Sequence, residues 1–292
     1  VNTVSFRCTA CGKCCNSPPL MSLPELFRHE GLFVGALAIR RAVSGAREMS
    51  VHTQAFDYTS LNRCPALGED QRCSIHDRGK PAVCAVVPFD AEVPDGLQHA
   101  VLLNRNRSES YIGANCIVAG ESTDHDVVVR DGRLVDNGYI DALARRREAA
   151  RLDRHYWGGA LLELLRRELS ASNAVPAKGY LTLPLVPVLQ IVAGVSTHCR
   201  IRCLAYIDSQ IVLIDRMLVA ALQRKNSRDR DATRELRSFN STYARLRKQL
   251  ERCAADSFTE IVDRERQRDF EAYLELDAGV AGSAESQESA AA

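Results

Sequence analysis

The chain has 292 residues, of which 46% are hydrophobic and 26% charged, a balance that excludes a wholly disordered polypeptide. Its 38 Lys and Arg stand against 37 Asp and Glu, and the resulting net charge of +1 lacks the global field of a nucleic-acid or polyanion binder. The length fits one large domain or two. Eleven cysteines are the anomaly.

The first fifteen residues, VNTVSFRCTACGKCC, carry no apolar run of the kind an export signal has. The longest apolar stretch, Leu181 to Val195, is interrupted by Pro184, Pro187 and Gln190. It is also shorter than the ~20 residues of a membrane span. The expected setting is therefore the reducing cytoplasm, without a membrane or nucleic-acid partner, where clustered cysteines bind metal more often than they form disulfides.

Eight cysteines fall within the first 116 residues: Cys8, Cys11, Cys14, Cys15, Cys64, Cys73, Cys84 and Cys116. All ten prolines lie at or before Pro187. Proline opposes helix interiors, so this asymmetry separates an irregular N-terminal part from a helical C-terminal one. Between them, HDVVVRDGRLVDNG predicts a β-hairpin, with Val127–Val129 and Leu134–Val135 flanking the type I′ turn signal Asp131-Gly132.

A helical pattern begins near Tyr139 and runs through Ile140, Leu143, Trp157, Leu161, Leu164 and Leu165, with an interruption at Gly158-Gly159. Ser170 to Gly179 reads as a loop. A long helix is predicted over 198–222, its apolar stripe being Leu204, Ile207, Ile211, Ile214, Leu218 and Leu222. Leu236, Phe239, Tyr243, Leu246, Leu250 and Cys253 then alternate steps of three and four, the seam of an antiparallel helical hairpin. The small, polar segment after Asp277 is expected to be a disordered tail.

The first cysteine cluster, CTACGKCC, spaces Cys8, Cys11 and Cys14 two residues apart, and Cys15 follows directly. Such gaps let successive thiolates curl around one ion, and Gly12 supplies the backbone freedom for the wrap. A vicinal pair is awkward on a single metal, so one of Cys14 and Cys15 serves a second metal, bridges two metals or stays free. With Cys64, Cys73, Cys84 and Cys116 there are eight thiols. That number serves two tetrahedral zinc sites, or one [4Fe–4S] cluster with thiols to spare, and spacing does not choose between them.

CTACGKCC, followed by CPAL, CSIHDRGKPAVC and VVP, resembles the YkgJ-type cysteine-cluster family, the CxxCxxCC zinc- or iron-chelating domain, over roughly residues 6–90. His76 stands where that pattern has tyrosine, Gly79 lengthens the gap from Cys73 to Cys84, Lys80-Pro81 replaces Arg-Pro, and Ala85 replaces an arginine. The resemblance implies bound zinc or iron, the latter also as an iron–sulfur cluster. The domain also occurs in flagellin lysine N-methylases, which implies an alternative as a protein-modifying enzyme using S-adenosylmethionine. No glycine-rich cradle following a predicted strand supports that cofactor.

His76, His52 and His125 read as surface or supporting side chains, not ligands. Cys199 and Cys203 share one helix face and read as core, as does Cys253. Asp208 and Asp215 lie at the rim of the apolar stripe, where they reach solvent, and the charged run Arg228–Arg237 reads as a solvated helix face. The expected architecture is mainly α. An irregular cysteine-rich metal module (1–120) precedes a β-hairpin connector (121–137), a helical domain (138–277) and the tail (278–292). A third reading makes the helical half an adaptor that docks a protein partner, with the metal as a staple.

Overall fold

The computed structural model describes residues 2–41, 49–56, 58, 60–61, 63–77, 79–107, 115–171, 175–176, 179–252 and 264–276. In chain order its elements begin with strand β1 (Val4–Phe6), helix α1 (Leu23–Arg28), strands β2 (Gly35–Arg41) and β3 (Met49–Ala55), and helices α2 (Ala82–Ala85) and α3 (Gln98–Arg107). Strands β4 (Ile117–Ala119), β5 (Asp126–Arg130) and β6 (Arg133–Leu134) precede helices α4 (Asn137–Asp153) and α5 (Gly159–Ala171). Strand β7 (Leu181–Pro184) leads to helices α6 (Val186–Ala193), α7 (Thr197–Arg224), α8 (Arg230–Arg252) and α9 (Arg264–Leu274). Helices dominate and both sheets are small and antiparallel. No described helix is long and apolar enough to cross a membrane. The chain divides into two compact units, each assembled from two segments: Val1–Pro19 with Asn62–Arg151, and Leu20–Leu61 with Leu152–Ala292.

The first unit holds the sheet β4-β1-β5-β6. The predicted hairpin is β5–β6, with Val129 opposite Leu134 and positive φ at both Asp131 (50°) and Gly132 (74°), as a type I′ turn requires. Val4, Phe6, Ile117, Val128 and Val129 pack with Val86, Phe89 and Leu102 and with Ala142 and Leu143 of α4. Gln98, fully buried, ties down the chain that follows Pro88: its Nε2 donates to the carbonyls of Asp90 (2.6 Å) and Val93 (2.9 Å). Arg147 adds bonds to the Ala91 and Val93 carbonyls (both 3.0 Å).

The second unit contains the sheet β3-β2-β7. Local patterning gives no sign of it, because β2 and β3 lie in the N-terminal part read as irregular. The α7–α8 hairpin is antiparallel as the heptad spacing predicts, and Leu236, Phe239, Tyr243, Leu246 and Leu250 are all buried. Its turn is clamped by Asp229, which accepts from Arg224 Nε (3.1 Å) and an Arg224 terminal nitrogen (2.8 Å).

The face of α7 differs from expectation. Cys199, Cys203, Tyr206, Ile207, Gln210, Leu213, Ile214 and Ala221 are buried, whereas Leu222 is exposed. At 100° per residue the buried face is rotated by roughly 80° from the aliphatic stripe. Two thiols, a tyrosine and a glutamine account for the rotation. Gln210 is buried at no polar cost, because it accepts from Gly35 N–H (2.8 Å) and donates to the Glu30 (2.8 Å) and Phe33 (3.1 Å) carbonyls. Leu164 is likewise exposed, against its place in the predicted stripe.

The helix interruption expected at Gly158-Gly159 is a π-helical turn, Arg154–Gly158, that buries Trp157. Asp208 and Asp215 are exposed and partnered, by Arg247 Nε (2.6 Å) and Asn240 Nδ2 (2.6 Å). Cys253 and the tail 278–292 lie outside the described residues.

Asp153, at the end of α4, is buried in the second unit and accepts from Leu23 N–H (3.3 Å), Trp157 Nε1–H (3.3 Å) and the Tyr273 hydroxyl. Burial pushes its carboxyl from 3.8 up to about 6, with these hydrogen bonds opposing the shift. The folded state therefore takes up this proton at higher pH than the unfolded chain. The contribution to stability is greatest below the unfolded value and is lost as the pH rises through the folded one. Two pK units set a ceiling of about 3 kcal/mol. Urea unfolding followed by the fluorescence of Trp157, the single tryptophan, is expected to show this dependence in the wild type and its loss in Asp153→Asn. A difference between the two proteins that stays constant from about pH 4.5 to 7.5 contradicts it.

Candidate metal centre

The first cysteine loop is shaped by Gly12, whose φ of 71° lets the chain turn into the 3₁₀ turn Lys13–Cys15, closed by Cys15 N–H to the Gly12 carbonyl (3.0 Å). A Cβ at Gly12 would lie 2.5 Å from Gln71 Oε1 and 3.3 Å from Leu67 Cδ2. The next segment docks directly on this turn, because Cys64 N–H donates to the Cys15 carbonyl (2.8 Å).

From Cys64 to Cys73 the chain folds back through tight turns. Leu67 pairs with Cys73, Ser74 N–H donates to the Ala66 carbonyl (2.8 Å), and Gln71 adopts a φ of 63°. Arg63 clamps the loop by donating to the carbonyls of Leu67 (2.7 Å) and Gly68 (2.6 Å). Cys84 lies in the short helix α2, which opens at Pro81. Three stretches of chain thus carry Cys15, Cys64, Cys73 and Cys84, which interact electrostatically.

Cys15 interacts with several of the other thiols. The hydrogen bond donated by the Cys14 thiol lowers its pKa, opposed by burial and by the neighbouring Cys64, Cys84 and Cys73. The same bond, then burial, pushes the Cys14 thiol up, while Lys80 acts to lower it. The two thiols of the vicinal pair are therefore shifted in opposite directions, Cys14 up and Cys15 down. Lys80, one of the departures from the family's usual pattern, supplies a positive charge beside the pair.

The other thiols stand elsewhere. Cys116 Sγ lies 3.0 Å from Thr9 Oγ1, where the β1–β4 pairing delivers it beside the first loop. Cys8 interacts with Tyr139, and both Cys8 and Cys11 are exposed. His76 is exposed. His125 spends its ring nitrogens on Ser122 Oγ (3.2 Å) and the Asn115 carbonyl (2.7 Å), so it is a hairpin support. Cys199 and Cys203 are core thiols in α7, both pushed up by burial. Arg63 and Gln71 went unnoticed in the sequence, and nothing in local patterning marks them.

A thiol-rich donor set suits zinc or iron in chemistry. Among the described residues, no group of three or more His, Cys, Asp or Glu side chains is arranged to hold an ion. The donor set fits by identity and neighbourhood, without a closed coordination shell.

No curated protein and no solved structure matches the chain significantly. Residues 7–109 match the family model CxxCxxCC, described as "Putative zinc- or iron-chelating domain", and this stretch includes Cys8, Cys11, Cys14, Cys15, Cys64, Cys73 and Cys84.

Proposed function

We propose that this protein chelates zinc or iron in a reducing, cytoplasmic setting, with Cys15, Cys64, Cys73 and Cys84 as the first ligand set. Cys8, Cys11, Cys14 and Cys116 are the remaining candidate ligands. The observation that carries the reading is the docking of the Cys64 segment on the first cysteine loop, through Cys64 N–H to the Cys15 carbonyl (2.8 Å), within the stretch that matches the zinc- or iron-chelating family model. A bound ion supplies a cross-link among these segments and neutralises thiolate charge.

The residues prepare for this. The Cys14 thiol donates a hydrogen bond to Cys15, Lys80 offsets negative charge, and Arg63 keeps the Cys64–Cys73 loop folded back. The ordinary role of a four-thiolate site is structural, because catalysis needs an open coordination position.

The test is metal and acid-labile sulfide content, with the visible spectrum, of protein purified without oxygen. About one or more equivalents of zinc or iron are expected, falling to below ~0.2 in a Cys15→Ser, Cys64→Ser double variant. Wild-type protein without either metal, and unable to take one up on reconstitution, overturns the reading. Iron with sulfide identifies a cluster, and zinc without colour a closed thiolate site.

Gly12→Ala provides a subtler check. The left-handed backbone costs an L residue about 1–2 kcal/mol, so metal affinity by competition with a chromophoric chelator is expected to fall about 5–30-fold. Unchanged affinity would show that the turn is not part of the binding geometry.

A further inference from the structure

The second unit contains a cavity of about 310 Å³ lined by Gln54, Phe56, Tyr180, Thr182, Arg228, Asp231, Ala232 and Glu235. Strand register places Gln54 and Thr182 on one face of the sheet. Ala36 of β2 sits between Gln54 and Pro184, and Ala38 between His52 and Thr182. Because side chains alternate between the faces of a strand, these residues share one face.

The far wall is the start of the α8 region. Arg228, Asp231, Ala232 and Glu235 recur at i, i+3, i+4 and i+7, which places them on one helical face. Thr182 donates to the half-buried Glu235 carboxyl, fixing that wall against β7. The run read from sequence as a solvated face therefore turns one side toward this cavity.

Its polar groups are poorly used within the chain. Among the described residues, the Gln54 amide, the Tyr180 hydroxyl and the Arg228 guanidinium make no side-chain hydrogen bond or ion pair. Asp231 has a partner outside the cavity lining, Arg234, at 3.4 Å. The Arg228 guanidinium fork matches a carboxylate, whereas the Glu235 carboxylate matches an ammonium group. An anion alone would meet two carboxylates, and a cation alone would leave Arg228 uncompensated. Phe56 and Tyr180 supply flat walls for an apolar side chain. The volume is at the small end of ligand cavities, enough for roughly ten non-hydrogen atoms.

We propose that this cavity binds a free α-amino acid with an apolar side chain, its carboxylate on Arg228 and its ammonium group on Glu235. No cysteine lines the cavity, and the proposal does not depend on the metal reading. Binding of L-leucine to the full chain is measured by calorimetry, beside leucinamide, which lacks the carboxylate, and 4-methylpentanoate, which lacks the amine. Leucine is expected to bind with a Kd of about 0.1–1 mM, and each analogue at least ~10-fold more weakly.

Arg228→Ala should weaken leucine at least ~10-fold while sparing leucinamide, and Glu235→Gln should weaken leucine while sparing 4-methylpentanoate. Arg228 is exposed, so its variant should keep the wild-type unfolding midpoint, and lost binding is then not lost folding. No saturable heat for leucine at ~10 mM overturns the proposal. It also fails if 4-methylpentanoate or leucinamide equals leucine, or if Arg228→Ala binds leucine unchanged.

Discussion

Removing the metal from loaded protein with a strong chelator is expected to unfold the stretch from Arg63 to Ala85 and to leave α7 and α8 intact. Among the described residues of that stretch only Cys64, Ala66 and Pro81 are buried. Its regular structure is one bridge, Leu67 with Cys73, and the four-residue helix α2. So little buried apolar surface cannot offset the conformational entropy of ordering some twenty residues at roughly 1–2 kcal/mol each. Metal binding to a set of four thiolates is worth about 10–16 kcal/mol at neutral pH in small modules.

Hydrogen exchange resolves the effect by segment. Amides of residues 63–77 and 79–85 are expected to exchange at least ~100-fold faster after chelation, and those of α7 and α8 at an unchanged rate. Equal protection with and without metal would mean that the loops are held by their own hydrogen bonds, with Arg63 foremost.

The second large effect is expected at Gly35. A Cβ there would lie 2.2 Å from the Tyr206 hydroxyl oxygen and 2.6 Å from Leu185 Cδ1. Tyr206 is fully buried and stacks on Phe27 at 4.6 Å between ring centroids, so it has nowhere to swing. The glycine backbone is itself engaged, donating to Gln210 Oε1 (2.8 Å) and accepting from the Tyr243 hydroxyl (3.2 Å).

Gly35→Ala is therefore expected to cost about 3 kcal/mol, the upper end for overpacking a core. In thermal unfolding that is a fall of roughly 6–12 °C. Adding Tyr206→Phe removes the oxygen that the methyl group meets and should restore part of the loss. A single variant melting at the wild-type temperature would mean that β2 can shift away from α7.

Expectations that rest on local chemistry match the structure where the deciding residues are neighbours in sequence. Asp131-Gly132 dictates its turn because both residues accept positive φ, and the strands on either side need nothing more. The α7–α8 hairpin follows from steps of three and four over Leu236 to Leu250, a period that only a helix can bury on one side. Gly12 was legible for the same reason, as a residue that turns the chain between cysteines. Among the cysteines, composition and spacing identify a thiol cluster. Distance along the chain does not reveal that the Cys64 segment docks on Cys15 or that Cys14 donates a hydrogen bond to Cys15.

Tertiary structure alone decided the rest. Strand β7 pairs with β2 across some 145 positions, and no periodicity within either segment announces the other. The buried face of α7 is set by partners that satisfy Gln210 and accommodate Tyr206, so a count of aliphatic residues misplaces it. The need for glycine at position 35 exists only once α7 is docked on β2. By itself the sequence determined helix and turn, where one stretch of chain carries both halves of each interaction, together with the identity of the thiol donors. The second sheet, the amphoteric cavity and the docking of the Cys64 segment on Cys15 depend on packing between remote segments, whose energy resides in pairs that local patterns do not contain.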